Sequence, residues 1–287
     1  MRNILITGGK GQLATSIKEQ VWNLKDYNFV FVDFDELDIT KAEEVNAFFR
    51  AAKPDFCVNC AAYTAVDRAE SEKDKAESIN TDGAMNLAIA CQKNETKLIH
   101  ISTDFVFDGN LSRPYTEKDE PNPIGVYGLT KSNGEKAIKS KLKEYFILRT
   151  AWLYSEYGTN FLKTMLRLGE ERKELSIVND QFGTPTYAGD LAKVILKIIT
   201  EDFQKYGTYH YSNEGVTSWY DFAKAIFEHG EKKITLRPIP TEEFPTAAKR
   251  PAYSALDKSK IKAGLDIEIA HWRDRLHNFL NMYLKSQ

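Results

Sequence analysis

A strand, a glycine-rich turn and a helix follow one another without a break at the start of this chain. Residues 4–7 indicate a strand, Gly8, Gly11 and Ala14 give a GxxGxxA spacing, and residues 12–22 indicate a helix. In such a turn, glycines let the backbone approach a pyrophosphate, and the helix N-terminus offers it unpaired N–H groups. The feature therefore predicts a dinucleotide-binding α/β fold, the alternative being a tight turn without a ligand.

The same alternation of strand and helix continues over the first half of the chain. Further strands are predicted at 29–32, 56–59, 98–102 and 146–149, and Thr40 and Glu43 have the spacing of a capping box that opens a helix. Apolar strands separated by helices form parallel sheets that are covered on both faces. We therefore expect a protein of the α/β class with a Rossmann-like, doubly wound parallel sheet.

The regular alternation of predicted strands and helices ends near residue 153, after which shorter elements and proline-bearing loops follow. We expect residues 1–153 to form a dinucleotide-binding domain. Residues 154–287 would form a smaller, mixed α/β substrate-binding lobe, and a helix near 188–200 would return to flank the sheet.

Composition excludes several classes of function. The net charge of −2 gives no indication of a nucleic acid or an anionic membrane as a partner. Because no apolar run is long enough for a signal peptide or a membrane span, we expect a cytoplasmic protein. Cys57 and Cys60 point to opposite faces of a predicted strand, which favours core thiols over redox or metal use. The five histidines lack zinc-like spacing, and we predict no metal site.

Asp33 follows the second predicted strand, where an acid that accepts the adenosine ribose hydroxyl is expected. A carboxylate there disfavours the extra phosphate of NADP, whereas Lys10 in the glycine turn is able to offset that repulsion. We expect NADH or NADPH as the cofactor, with a preference for NADH. Asp38 and Ile39 are candidates for the adenine edge. The alternatives are a solvated strand end for Asp33, a capping acid for Asp38 and a core position for Ile39.

Thr103 and Asp104 follow the fourth predicted strand. In an open parallel sheet, ligands lie outside the carboxyl ends of the strands, so these side chains should face a nicotinamide and a substrate. The hydroxyl of Thr103 is suited to hydrogen-bond a carbonyl oxygen. The alternative is that both residues only form a turn.

Tyr127 and Lys131 lie four residues apart on a predicted helix and therefore share a face. A phenol has a reference pKa of about 10, and a nearby cation favours its ionised form, which brings it toward the pH range of efficient proton transfer. The pair predicts acid chemistry beside the nucleotide, the alternative being an ordinary solvated helix face.

These features together resemble the extended short-chain dehydrogenase/reductase superfamily and, within it, the dTDP-4-dehydrorhamnose reductase family. The matching blocks run almost from end to end, although Ala14 stands where that family usually has glycine and Phe105 where it has tyrosine. The most specific blocks are Ala61-Ala62-Tyr63-Thr64-x-Val66-Asp67 and Ser102-Thr103-Asp104-x-Val106-Phe107; the others include Gly8-x-x-Gly11-Gln12-Leu13, Tyr127-Gly128-x-x-Lys131, Leu148-Arg149-Thr150-Ala151-Trp152 and Arg250-Pro251-x-x-Ser254.

The resemblance implies that NADH or NADPH reduces the C4 ketone of dTDP-4-dehydro-6-deoxy-L-mannose, giving dTDP-L-rhamnose. Tyr127 would protonate the developing alkoxide, Lys131 would hold the nicotinamide ribose and tune the phenol, and Thr103 would position the ketone. Dehydrating relatives carry a glutamate at the position of Phe105, which favours simple reduction here. The alternatives are another nucleotide-4-ketosugar reductase, a 3,5-epimerase/4-reductase, or a non-catalytic regulatory subunit of the same fold.

The resemblance also implies two sets of contacts with ligands. The cofactor set is Gly8, Gly11, Gln12, Leu13, Asp33, Asp38, Ile39, Ala62, Tyr63, Thr64, Tyr127 and Lys131. The substrate set is Val66, Asp67, Thr103, Asp104, Trp152 and Arg250, with Arg250 as a candidate for the diphosphate. Core packing for Trp152 and a solvated or paired state for Arg250 are the alternatives. The expected partner is a dTDP-linked 4-keto sugar, and the chain is expected to be a monomer or a homodimer.

Overall fold

The computed structural model describes residues 1–230 and 233–285. Its strands are β1 (Arg2–Thr7), β2 (Tyr27–Val32), β3 (Phe56–Asn59), β4 (Lys97–Thr103), β5 (Tyr145–Thr150), β6 (Leu153–Tyr154), β7 (Glu174–Val178), β8 (Phe182–Gly183), β9 (Thr186–Tyr187), β10 (Gly207–His210), β11 (Thr217–Ser218) and β12 (Thr235–Ile239). Its helices are α1 (Gln12–Lys18), α2 (Ala42–Ala52), α3 (Val66–Ala69), α4 (Lys73–Glu77), α5 (Gly83–Lys93), α6 (Val126–Lys141), α7 (Phe161–Glu171), α8 (Ala188–Thr200), α9 (Trp219–His229), α10 (Ser259–Leu265) and α11 (Trp272–Tyr283). A π-helical turn covers Ser78–Asp82, and 3₁₀ turns cover Asp104–Val106 and Thr241–Glu243.

Six strands form one central sheet in the order β10-β5-β4-β3-β1-β2, and every neighbouring pair in it is parallel. From β1 the chain moves outward to β2 and then returns to β3 on the other side of β1. The order of the strands therefore reverses between β1 and β3, and a crevice for a ligand is expected at their carboxyl ends. The predicted α/β class with a parallel central sheet is confirmed.

Apolar residues on alternate sides of these strands bury two separate faces of the sheet. One face packs α1, α8 and α10 against residues such as Ile4, Ile6 and Val58. The other packs α2 and α5 against residues such as Leu5 and Cys57. Because each fully buried Ile or Leu contributes about 1.5–3 kcal/mol, the two layers fix the strand ends, and with them the loops that follow.

Two local predictions were wrong. The first helix ends at Lys18 rather than near residue 22, since the backbone N–H of Gln20 turns to the carbonyl of Ile17. Thr40 does not cap the next helix, whose N-cap is Lys41 without a side-chain hydrogen bond. The hydroxyl of Thr40 instead donates to the carboxylate of Asp38, 2.7 Å away. This local hydrogen bond competes with the cap that the hydroxyl would otherwise form.

The remaining elements build a second, smaller region from short two-stranded pairings and three helices. Strand β12 pairs with β7, β11 with β8 and β6 with β9, while α7, α9 and α11 enclose an apolar cluster that includes Phe222 and Leu276. Helix α8 and strand β10 lie after residue 153 but belong to the central sheet layer. A division of the chain at residue 153 stays a prediction. Among the described residues, no helix has the length and apolar character to cross a membrane.

Candidate active site

Two adjoining clefts open at the carboxyl ends of the central strands. The first, of about 360 Å³, lies above β1 and β2, and the second, of about 490 Å³, lies above β3, β4 and β5. Five residues line both clefts, so the two form one continuous groove long enough for an extended ligand. These shared residues are Gln12, Leu13, Cys60, Ala62 and Thr64.

The glycine turn lines the first cleft. Gly8 has φ +65°, and a Cβ there would lie 2.7 Å from the backbone nitrogen of Ala61, so only glycine fits between β1 and the loop after β3. Gly11 is the N-cap of α1 and has no side chain to occupy the first N–H groups of that helix. Ala14 is fully buried and packs its methyl group in the core beside the sheet. The turn fits a pyrophosphate in the groove.

At the outer end of the first cleft, Asp33 already accepts two backbone hydrogen bonds. Its carboxylate receives the N–H of Lys10 at 2.7 Å and the N–H of Phe34 at 2.8 Å. The ammonium of Lys10 pairs with Asp35 at 2.8 Å, on the surface. Sequence reasoning missed Phe34, which lines this cleft and is 70% exposed; a large aromatic next to the ribose acid was the available signal.

Asp38 and Ile39 line the same cleft, and each also makes a contact within the protein. Asp38 is buried and accepts the backbone N–H of Thr40 at 3.0 Å. Ile39 is buried against Gly83, where a Cβ would lie 2.7 Å from its Cδ1. The adenine edge and the packing role are therefore compatible for both residues.

Three cofactor contacts were predicted in the loop after β3, at Ala62, Tyr63 and Thr64. Two of these side chains lie at the groove, and the third points away from it. Ala62 and Thr64 line both clefts. Tyr63 lines neither cleft: its ring packs with Ala69, and its hydroxyl donates to Glu72 at 3.0 Å. The backbone of Tyr63 exchanges two hydrogen bonds with the side chain of Asn80, which fixes this orientation. The side chain of Tyr63 thus lies outside both clefts, and the predicted contact of this residue with the cofactor stays a prediction.

Tyr127 lies in the first turn of α6 and lines the second cleft beside Thr103. The phenol lies near the hydroxyl of Thr103, and its ring meets that of Phe105 edge to face with centroids 5.6 Å apart. Burial raises the pKa of Tyr127 to about 12. The phenol is therefore protonated at neutral pH and ready to donate a proton, although the direction is opposite to the lowering that the sequence suggested.

Lys131 lies one turn further along α6, and its side chain is buried. Its Nζ donates to the carbonyl of Ile101 at 2.6 Å and lies 3.3 Å from Nε2 of His100. Burial lowers the pKa of Lys131 to about 8, against the opposing charge of Glu135. The amino group is held by strand β4 at the base of the second cleft.

Asp104 follows Thr103 and is almost completely buried at the edge of the second cleft. Its Oδ1 accepts the hydroxyl of Thr103 at 3.0 Å, whereas no described residue hydrogen-bonds its Oδ2. Burial raises the pKa of this carboxyl to about 6, while the neighbouring hydroxyls of Ser254 and Thr103 oppose the shift.

Four residues of the predicted substrate set lie around the mouth of the second cleft. Val66 lines it, and Asp67 on the same helix forms a bidentate pair with Arg250 at 2.7 and 3.1 Å. Arg250 is thus paired within the protein, as one alternative expected. A contact of Arg250 with a diphosphate stays a prediction. Trp152 lines the cleft with φ +47° and stacks on Trp219 at a centroid distance of 3.5 Å.

The cysteines and possible metal ligands add no further chemistry. Cys57 packs on one face of the sheet and Cys60 on the other, and both are free thiols. Burial raises the pKa of Cys60 to about 12, so this thiol stays protonated at neutral pH. Within residues 1–230 and 233–285, no group of three or more histidine, cysteine or acidic side chains is arranged to hold a metal ion.

Known proteins resemble this chain over nearly its whole length. The family model described as the RmlD substrate binding domain matches residues 1–285. A dTDP-4-dehydrorhamnose reductase of Aggregatibacter actinomycetemcomitans is 42% identical, over 97% of this chain and 98% of the relative.

Solved structures agree with this similarity. A dTDP-4-dehydrorhamnose reductase of Clostridium acetobutylicum superposes with a TM-score of 0.94 at 44% identity, covering 98% of this chain and 99% of that one. A Bacillus anthracis dTDP-4-dehydrorhamnose reductase in complex with NADP superposes with a TM-score of 0.95 at 43% identity, covering 98% and 100%.

Proposed function

The chain belongs to the family of the RmlD substrate binding domain, and we propose that Tyr127, Thr103 and Lys131 perform the chemistry of its reductase reaction. The reaction is the NADH- or NADPH-dependent reduction of the C4 ketone of dTDP-4-dehydrorhamnose to dTDP-L-rhamnose. The observation that carries the residue roles is that Thr103, Tyr127 and Lys131 line one cleft, which adjoins the cleft lined by the glycine turn.

The groove accommodates the cofactor by its shape and by its backbone groups. The pyrophosphate would lie over Gly8 and Gly11, the adenosine ribose would meet Asp33, and the nicotinamide would reach the second cleft past Leu13 and Ala62. When bound, the nicotinamide supplies the hydride for C4.

The residues of the second cleft then control the oxygen of the ketone. Thr103 would hydrogen-bond this oxygen, and Tyr127 would donate its phenolic proton as negative charge develops there. The raised pKa of Tyr127 keeps that proton in place until the hydride arrives. Lys131 would hold the nicotinamide ribose, and its ammonium would stabilise the phenolate that remains after the proton has left.

A third groove, of about 850 Å³, shares Phe161, Trp219 and Arg250 with the catalytic cleft. A sugar bound beside Tyr127 would extend its nucleotide into this groove, with Trp152 against the sugar and Arg250 near the diphosphate. The carboxyl of Asp104, which lines the catalytic cleft, would accept a sugar hydroxyl. Phe105 leaves the position next to Asp104 without an acid or base, which supports reduction without removal of a C5 proton.

The direct test is to mix the purified protein with NADH or NADPH and the dTDP-linked 4-keto sugar and to follow the loss of nicotinamide absorbance. We expect turnover by the wild type and a loss of about 10²- to 10⁴-fold in kcat for Tyr127→Phe. Tyr27→Phe, which removes a surface hydroxyl on β2, serves as the matched control and should keep full activity.

Two outcomes would contradict the proposal. If wild type and Tyr127→Phe both fail to consume the cofactor, the chain is a non-catalytic relative of the same fold. If the UDP-linked analogue of the sugar reacts as fast as the dTDP-linked one, the nucleotide assignment is wrong.

We also propose that the enzyme works in the cytoplasm as a monomer or a homodimer. Its two substrates, a nucleotide sugar and a reduced dinucleotide, support that location. Cell fractionation and light scattering of the purified protein test the two statements separately.

A further inference from the structure

A chain of four buried side chains runs through the sheet to the base of the catalytic cleft. It consists of Thr7 on β1, Asn59 on β3, His100 on β4 and Lys131 on α6, each at most 2% exposed. The steps are 2.7 Å from the Thr7 hydroxyl to Asn59 Oδ1, 3.0 Å from Asn59 Nδ2 to His100 Nδ1, and 3.3 Å from His100 Nε2 to Lys131 Nζ. Of these four residues, only Lys131 has a role in the proposed reduction.

The orientation of the Asn59 amide follows from its neighbours. The atom that faces the backbone N–H of Ala61, at 3.1 Å, must be the oxygen, because an N–H group can only donate. The other end of the amide is then its NH₂ group, which also can only donate, and it points at Nδ1 of His100. Nδ1 therefore carries a lone pair rather than a proton.

The tautomer of His100 follows in turn. Burial and the charge of Lys131 place the pKa of His100 well below its usual value, so the imidazole is neutral and has one proton. With Nδ1 accepting from Asn59, that proton belongs on Nε2, the nitrogen that faces Lys131. A charged Lys131 has only N–H donors, so its ammonium would face the Nε2–H donor of His100 without an acceptor between them. A neutral amine is able to accept the Nε2–H.

We propose that His100, fixed by Asn59 as the Nε2–H tautomer, is a positioning residue that holds Nζ of Lys131 at the cleft and disfavours its charged form before the cofactor binds. The inference rests on the proposed function for its consequence in catalysis, but not for the tautomer itself. The other groups that face Lys131 are Glu135 on the same helix, whose charge favours the ammonium, and Cys60 after β3, whose thiol is protonated at neutral pH. Glu135 is paired with Arg149 at 2.6 Å, so much of its charge is already balanced.

The consequence concerns the pH range in which the enzyme is active. If the reaction needs a charged Lys131, kcat/KM for the reduced cofactor falls as the pH rises through the pKa of this residue in the free enzyme. A donor at Nε2 keeps that pKa low, and an acceptor in the same place would raise it.

The tautomer is measured directly by long-range ¹H–¹⁵N NMR of protein labelled with ¹⁵N-histidine, in which His100→Gln identifies the signals of residue 100. We expect a protonated Nε2 and an unprotonated Nδ1 at neutral pH. A protonated Nδ1 would overturn the proposal. This measurement needs no turnover, so it answers the question even if the wild type proves inactive, which would instead refute the proposed function.

Asn59→Asp replaces the donor at Nδ1 by an acceptor of the same shape and should move the proton of His100 from Nε2 to Nδ1. We expect the alkaline limb of kcat/KM to move up by about one pH unit, because Nε2 would then accept from a charged Lys131. If Asn59→Asp does not fold, His100→Gln is the second test. Its amide oxygen is able to face Lys131, so this variant should move the alkaline limb in the same direction. Asn28→Asp, at an exposed position on β2, adds the same charge and should leave the limb in place. An unmoved limb in both folded test variants would overturn the proposal.

Discussion

Gly128 and Phe105 approach so closely that a Cβ on Gly128 would lie 2.0 Å from the carbonyl oxygen of Phe105. The contact joins the first turn of α6 to the 3₁₀ turn Asp104–Val106, which follows Thr103. Because Tyr127 precedes Gly128, this backbone contact also sets the phenol beside the threonine hydroxyl. The glycine of the Tyr127-Gly128-x-x-Lys131 motif therefore has a steric reason for its place.

Gly128→Ala should thus disturb both catalysis and stability. The methyl group has to push backbone against backbone, and we expect a cost of about 1–3 kcal/mol in the free energy of unfolding. Displacement of Tyr127 from Thr103 should lower kcat at least ~10-fold, since small errors in the position of a catalytic group cost that much or more. Urea unfolding and steady-state kinetics measure the two effects.

Gly264→Ala provides the matched control for a glycine inside a helix. A Cβ there would lie 3.2 Å from the ring of Phe203, a side chain that is able to shift slightly, and α10 lies outside both clefts. We expect unchanged kcat for this variant. A Gly128→Ala enzyme with the kcat of the wild type would show that the contact does not position Tyr127.

The local parts of this fold could be predicted from the sequence, whereas the pairings across it could not. Alternating apolar residues and glycine spacing are read within a few residues, so β1, the glycine turn and the face shared by Tyr127 and Lys131 follow from them. The orientation of the Tyr63 side chain, away from the clefts, depends on Asn80, which lies 17 residues further along the chain. The pairing of Arg250 with Asp67 joins residues 183 positions apart, and no local pattern contains it.

The surroundings of Asp33 predict which cofactor the enzyme prefers. Its carboxylate is fixed at the end of β2 by the N–H groups of Lys10 and Phe34, and Lys10 is paired with Asp35. We expect a higher kcat/KM with NADH than with NADPH, because a fixed carboxylate repels a 2′-phosphate. Asp33→Ser should raise the NADPH to NADH ratio of kcat/KM at least ~10-fold, which corresponds to about 1.4 kcal/mol.

The control for this change is Asp26→Ser, since Asp26 precedes β2 and lies at the opposite end of that strand from the cleft. Its ratio should equal that of the wild type. A wild-type enzyme that already prefers NADPH, with a ratio that Asp33→Ser leaves unchanged, would refute a discriminating role for Asp33.

Arg250 offers a test of diphosphate recognition. Its planar fork binds Asp67 with two hydrogen bonds at the rim of the catalytic cleft, and the same fork suits phosphate oxygens. Arg250→Lys keeps the charge but loses the paired geometry, so we expect the KM for the nucleotide sugar to rise about 10-fold, in line with the loss of one charged hydrogen bond. The KM for the cofactor should stay the same.

Arg113→Lys is the matched control, because Arg113 forms a similar two-bonded pair with Asp119 at 2.7 and 2.8 Å and lines neither cleft. It should leave both KM values unchanged. Equal KM values for Arg250→Lys and the wild type would mean that Arg250 serves only to hold Asp67.

His210 makes the stability of the fold sensitive to acid. The imidazole is completely buried: its Nε2 lies 3.3 Å from Nη1 of Arg149, which donates to it, and its Nδ1 lies 3.0 Å from the carbonyl of Tyr115. Burial, followed by the charge of Arg149, lowers the pKa of His210 to about 3. Since the unfolded chain has a pKa of about 6.5 at this residue, the unfolded state takes up the proton first as the pH falls.

The stabilisation by neutral His210 is therefore fully present above about pH 6.5 and is lost as the pH falls toward 3. Between pH 7 and pH 5 this one group should lower the free energy of unfolding by about 2 kcal/mol. His210→Gln removes the titration, so its urea-unfolding free energy should fall by about 2 kcal/mol less than that of the wild type over the same range. His271→Gln, at the exposed start of α11, should keep the wild-type pH dependence. Equal losses in His210→Gln and the wild type would show that His210 is not the group that titrates.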